Sequence, residues 1–236
     1  VTSTDDAKQA VRRRVWDLLE RAGMAPPGVH GHIPDFTGKD DAAARLADLD
    51  VWKKARVIKC NPDRAQLPVR VRTLHEGKLL YMAVPRLATE AFLPARPGGA
   101  DSPVRDCRHE QRRARDRPPP TVGPDEMRPV DMIVCGSVAI SRRNGVWVGK
   151  GTGYSDLEIA LLTEAGLVTR DTAIATTVHQ SQLLDEELPD ADHDFSVDYA
   201  ITPEEVVACA PDQARPSGIV RGNLRPDQLD NIPALR

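Results

Sequence analysis

The sequence predicts an α/β layered domain with a mainly parallel sheet, and three observations carry that prediction. Short apolar runs of strand length, stopped by Pro, Asn or Gly, recur along the chain. Stretches with helical spacing lie between them. The chain has 236 residues, 40% hydrophobic and 28% charged, which is ordinary globular usage and enough for one large core.

The first helix comes from Ala7, Val11, Val15, Leu18, Leu19 and Ala22, which recur at helical spacing until Gly23 ends the pattern. Ser3, three residues before Asp6, reads as its start signal. Lys8 and Arg12 are four apart and share one face of this helix, with Arg13 and Arg14 following. Such a cluster is either a solvated basic edge or a pair of cations aimed at phosphate. Residues 30–36 (HGHIPDF) form a turn-rich connection, and Asp41–Leu49 reads as a short helix. Val57–Cys60 is the first strand, stopped by Asn61-Pro62. Leu67–His75 is helical, and Lys78–Val84 is the second strand, stopped by Pro85. Met132–Cys135, Ala173–Val178 and Val197–Ile201 are the third, fourth and fifth strands. Ser155–Ala165 and Pro203–Cys209 are the remaining helical predictions.

Residues 1–236 read as a single domain, interrupted by an irregular Arg/Pro-rich segment at about 95–123. Arg105 to Arg117 carries six Arg, and three Pro follow, so the segment offers no strand or helix to a core. Three readings stand for it: a surface loop, a basic patch, or a GC-rich gene read briefly out of frame. The patch would lack interleaved aromatics for base stacking.

Composition excludes several classes of function. Lys+Arg is 32 against Asp+Glu 35, a net charge of −3, which speaks against a dedicated nucleic-acid binder. No apolar run reaches the ~18 residues of a membrane span, and residues 1–14 lack the apolar stretch of a signal peptide. Cys60, Cys107, Cys135 and Cys209 form no CxxC unit and read as free thiols in a reducing compartment. The expected location is the cytoplasm, and the expected state a monomer or weak oligomer.

The stretch Gly149-Lys150-Gly151-Thr152-Gly153-Tyr154-Ser155-Asp156 carries the chemistry. Three alternating glycines feed a helix start, where Ser155 with Glu158 has the spacing of a capping box. A glycine loop at a helix N-terminus presents backbone N–H groups to an anion, and Lys150 adds a cation. The spacing fits neither the Walker A loop nor the dinucleotide fingerprint. It leaves two readings, a phosphate site or a plain turn. Asp156, in the first helical turn, either caps the helix or holds magnesium. Tyr154 either stacks on a ring or fills the core.

GKGTGYSD resembles the G-[RK]-G-x-G-Y-x-D signature of the 5-formyltetrahydrofolate cyclo-ligase family. AKQAVRRRVWDLL resembles that family's opening helix. The runs HIPDFTG, LLYMAVPRL, PVDMIVCGSVAI, TTVHQSQLLDEELP and DHDFSVDYAITPEEVV are similar to the branch related to the methenyltetrahydrofolate synthetase domain. The resemblance implies a Rossmann-like layered sheet of the NagB/RpiA/CoA-transferase type. It implies an ATP- and Mg²⁺-dependent ligase that turns 5-formyltetrahydrofolate, a reduced folate, into 5,10-methenyltetrahydrofolate with release of ADP and phosphate. The formyl oxygen is phosphorylated, N10 attacks, and phosphate leaves. Mapped here, Lys8, Arg12 and Lys150 meet the phosphates, and Gly149, Gly151, Thr152 and Gly153 cradle them. Asp156 places the metal, and Tyr154 lines the pocket. Two positions depart from the pattern: Ser155 stands where a second Tyr is common, and Lys150 where Arg is common.

Beyond that signature, His179 is either a polar group at a strand's carboxyl edge or a structural histidine. His193 among Asp190, Asp192 and Asp194 reads as a surface acidic turn. Arg86 is a further candidate for phosphate. Trp16, Trp52 and Trp147 read as packing residues.

Overall fold

The structure, a computed structural model, describes residues 3–84, 87, 92–95, 121–210, 215–224, 228, 229, 232 and 235. Arg86, Cys107 and the Arg/Pro-rich stretch 96–120 lie outside the described residues.

Helix α1 spans Thr4–Arg21. Ser3 caps it, its Oγ accepting from the Asp6 N–H at 3.2 Å, and Asp5 and Asp6 in the first turn complement the dipole. Its buried face carries Lys8, Arg12, Val15, Trp16 and Leu19. Helices α2 (Lys39–Ala47) and α3 (Asp50–Lys54) follow, then strand β1 (Val57–Cys60), helix α4 (Leu67–His75) and strands β2 (Leu79–Ala83) and β3 (Phe92–Ala95). Next come β4 (Met132–Cys135), β5 (Ala139–Ser141) and β6 (Trp147–Val148), then helix α5 (Tyr154–Glu164). The described strands end with β7 (Ala173–Thr177), β8 (Leu183–Leu184), β9 (Tyr199–Ile201) and β10 (Val206–Ala208).

Seven strands form the main sheet, in the order β10-β9-β7-β4-β1-β2-β3. The inner five are parallel, and β10 and β3 run antiparallel at the two edges. The fold is therefore the mainly parallel α/β sheet with flanking helices that the sequence predicts. Residues of β1, β2 and β4 are buried throughout, as expected of parallel strands covered on both faces. Residues of α1, α2 and α4 share one core with Ile58, Leu80 and Met132. Leu157, Ile159, Leu161 and Leu162 of α5 pack on the other face with Val57, Ile133 and Ile174.

The chain crosses from β1 to β2 on one side and later places β4 on the other side of β1. The winding thus reverses between β1 and β4. In open α/β sheets the crevice outside the carboxyl ends of such strands is where ligands bind. A second sheet, β6-β5-β8, packs beside α1 and delivers the chain into the glycine loop at this crevice.

Two local expectations are corrected. Pro203–Cys209 is not a helix. Thr202 Oγ1 accepts from the Glu204 and Glu205 N–H groups at 3.1 and 2.9 Å, which turns the chain back on itself. The β-branched Val206 and Val207 then pair with Ile201 and Ala200 as the edge strand β10. Nor is Ser155 the N-cap of α5. Gly153 takes that place in the left-handed region, at φ +70°, and no side chain caps the helix. The partners of Ser155 and Glu158 are tertiary, so the capping box does not form.

Candidate active site

A cleft of about 1210 Å³ opens at the carboxyl ends of β1, β2 and β4. It is larger than the ~300–1,000 Å³ of ordinary ligand pockets and so has room for two small molecules. The cleft gathers every site residue predicted from the sequence: Lys8, Arg12, Gly149, Lys150, Gly151, Thr152, Gly153, Tyr154 and Asp156.

Arg12 crosses from α1 to the loop. Its Nε donates to the Gly149 carbonyl at 2.7 Å, and one terminal nitrogen donates to Gln9 Oε1 at 3.1 Å. Gly151 has φ +95°, and a Cβ there would lie 3.2 Å from the Arg12 guanidinium carbon. The loop backbone therefore lies flat against the guanidinium, a close approach that glycine permits. Burial pulls the Arg12 pKa below its ordinary value, while Asp5, Asp194 and Asp156 push it back. Lys8, one turn earlier, is buried and ion-paired to Asp194. Lys150 reaches across the cleft to Asp63 Oδ1 at 3.2 Å. Thr152 is exposed on the loop, and Tyr154 opens α5 while packing against the core beneath.

Asp156 sits in the first turn of α5, and its Oδ1 is buried with no protein partner. Burial pushes its carboxyl up to about 7, the negative charge of Asp194 adds to the rise, and Lys8 opposes it. A divalent cation would relieve this strain, and an orphaned carboxylate oxygen facing a second carboxylate is a donor set suited to a hard cation. Asp156 and Asp194 are only a pair. No group of three or more His, Cys, Asp or Glu able to hold a metal exists among the described residues. Magnesium fits such a site, because it commonly takes one or two carboxylates and completes its shell with water and phosphate oxygens.

Sequence reasoning missed four residues here. Asp194 is no surface residue: it is nearly buried in the cleft, where it also accepts from the Ala191 N–H at 2.7 Å. Asp63 ends the turn after β1, where the Asn-Pro stop was the available signal. Lys59 is fully buried on β1 and ion-paired to Glu158 of α5. The signal for that pair was a charged residue inside an apolar strand. His179 has the structural role, its Nδ1 accepting from the Ser181 N–H at 3.1 Å. Trp16, Trp52 and Trp147 are buried.

Cys60, Cys135 and Cys209 are free thiols. Burial pushes Cys135 up to about 12 and Cys209 up to about 11, so neither is a poised nucleophile. No helix among the described residues is long and apolar enough to cross a membrane.

The 5-formyltetrahydrofolate cyclo-ligase family matches this sequence over residues 4–203. The chain is 38% identical over 237 residues to the methenyltetrahydrofolate synthase domain-containing protein of Mus musculus, covering 98% of this chain and 62% of that protein. The Homo sapiens protein of the same name is 36% identical over 236 residues, covering 98% and 61%. The chain thus spans about three fifths of the length of these relatives. The NMR structure of Aquifex aeolicus 5,10-methenyltetrahydrofolate synthetase shares the fold, with a TM-score of 0.52, 17% identity and coverage of 92% of this chain and 99% of that one. The match over residues 4–203, most of the chain, establishes that the chain belongs to the 5-formyltetrahydrofolate cyclo-ligase family.

Proposed function

We propose that the protein is an ATP- and Mg²⁺-dependent ligase that converts 5-formyltetrahydrofolate into 5,10-methenyltetrahydrofolate, releasing ADP and phosphate. One observation carries the reading: two cations of α1 and a glycine loop at a helix N-terminus converge beside a pair of carboxylates, at the switch point of a parallel sheet.

In this reading Arg12, Lys8 and Lys150 place positive charge around the triphosphate, and the 149–153 backbone N–H groups donate to its oxygens. Lys150 exchanges Asp63 for a phosphate oxygen. Asp156 and Asp194 would hold the magnesium, which when bound neutralises phosphate charge. Tyr154 lines the wall of the pocket. The chain's own contribution is positioning and charge, which is most of what phosphoryl transfer to a formyl oxygen requires. The domain runs over the whole of residues 1–236 and works in the cytoplasm as a monomer or weak oligomer.

A second reading is nucleotide binding with turnover of a different formamide or carboxamide. Ser155 and Lys150, which stand where the family pattern commonly has Tyr and Arg, favour it.

The test is to mix the purified protein with 5-formyltetrahydrofolate and Mg-ATP and follow product by its near-ultraviolet absorbance. Lys150→Ala and Asp156→Ala run beside it. Product that both changes suppress is the expected result. A folded protein that binds ATP and forms no product overturns the folate reading and leaves the second.

A further inference from the structure

Beneath the glycine loop, polar side chains form one directed run of hydrogen bonds. Lys59 lies in the middle of β1, between β2 and β4. Its ammonium meets a carboxylate oxygen of Glu158, and it donates to Asn61 Oδ1 at 2.7 Å. Asn61 Nδ2 in turn donates to Ser155 Oγ at 2.9 Å. Asn61, Ser155 and Glu158 line the cleft.

The direction of this run is forced. An ammonium has three donors and no acceptor, so Asn61 turns its carbonyl oxygen to Lys59. The Asn61 amide nitrogen then faces Ser155, and Ser155 Oγ must accept. The hydroxyl hydrogen cannot return to Asn61, and no described residue takes it. It is left for the cleft. The charge on Lys59 polarises each group in the same sense, which strengthens the last donor. A buried ion pair is often less favourable than an apolar pair of equal volume, so this one calls for a role. From α1, Arg12 reaches the loop and Lys8 reaches Asp194. Ala83 and Val84, at the end of β2 next to β1, also line the cleft, an apolar wall that suits an organic ring rather than a phosphate.

We propose that Ser155 is a specificity-determining residue, donating its hydroxyl hydrogen to an acceptor oxygen or ring nitrogen of the organic co-substrate. Asn61 and Lys59 are positioning residues that aim it. The inference rests on the reading that this cleft takes 5-formyltetrahydrofolate beside the nucleotide.

Steady-state kinetics on the full chain test it, with KM for 5-formyltetrahydrofolate and for Mg-ATP measured separately and a melting curve for each variant. Ser155→Ala raises the folate KM about tenfold, the worth of one good hydrogen bond, and moves the ATP KM less than about twofold. Ser155→Thr keeps the hydroxyl and stays near wild type. Asn61→Asp is the discriminating change. It still satisfies Lys59, but a carboxylate accepts from Ser155 and draws the hydrogen away from the cleft. It therefore matches Ser155→Ala with the serine still in place. A merely structural Ser155 predicts no such loss. Variants with unchanged folate KM, or with both KM values rising together, overturn the assignment. A wild-type chain that neither binds nor converts 5-formyltetrahydrofolate overturns the functional reading and this inference together; an active wild type with wild-type-like variants overturns the inference alone.

Discussion

Two buried lysine–carboxylate pairs flank α5, and they differ in what can reach them. Lys8 and Asp194 both line the cleft, close to Asp156 and Arg12. Lys59 lies under α5 with no exposed surface, held by Glu158 and Asn61. The first pair has partners to exchange, since an anion can replace Asp194 on the lysine and a cation can replace the lysine on Asp194. In the second, Glu158 lines the cleft as well, but Lys59 has no exposed surface, so no ligand replaces Glu158 on it and the pair fixes geometry. On the proposed function, the same two residue types thus give a binding device where the lysine lines the cleft and an architectural one where it does not.

The sharpest way to break the comparison is Lys59→Met. It strands a buried Glu158 and costs about 3–5 kcal/mol of stability, read by urea unfolding. Adding Glu158→Leu removes the stranded charge and recovers most of that loss. Lys8→Met raises the KM for Mg-ATP about 10- to 100-fold, with a smaller loss of stability than Lys59→Met, because water enters beside Asp194. Equal stability losses from the two single changes would erase the distinction.

Asp156→Asn sharpens the contrast through pH. With a folded pKa of about 7 against an ordinary 3.8, Asp156 holds a proton in the folded protein where the unfolded chain has released it. Without ligand, wild-type stability therefore falls as pH rises from about 4 to about 7 and is level above that. The variant lacks this slope. Melting curves are expected to coincide near pH 4, with Asp156→Asn higher by a few degrees at pH 8. The smallest expected effect is from Gly151→Ala, about 1 kcal/mol of stability for a left-handed residue, together with weaker nucleotide binding as the Cβ pushes on Arg12. Thermal melts with and without Mg-ATP separate those two components.

What the sequence made legible was local. Ser3 capping α1, the four-residue spacing of Lys8 and Arg12, the buried strands and the glycine loop before α5 are each written within a dozen residues. The cap of α5 was misread because Ser155 and Glu158 have the spacing of a box, while Asn61 and Lys59, 94 and 99 residues away, claim their side chains. The β9–β10 hairpin was misread for a related reason. Its register depends on β9 already standing in the sheet, and the helical pattern of 203–209 is too short to compete. Asp194 looked like one acidic residue in a turn of three, and only its meeting with Lys8 sets it apart.

The Lys8–Asp194 contact joins residues 186 positions apart. During synthesis the α1 cations leave the ribosome long before the carboxylate they will meet. An early-folding segment can carry the helix and the first strands, yet it lacks the Lys8–Asp194 contact. A truncation anywhere before residue 194 therefore removes Asp194 from the constellation, so on the proposed function nucleotide affinity reports the integrity of most of the polypeptide. Tagged fragments of increasing length would gain that affinity in a single step near their carboxyl end rather than gradually.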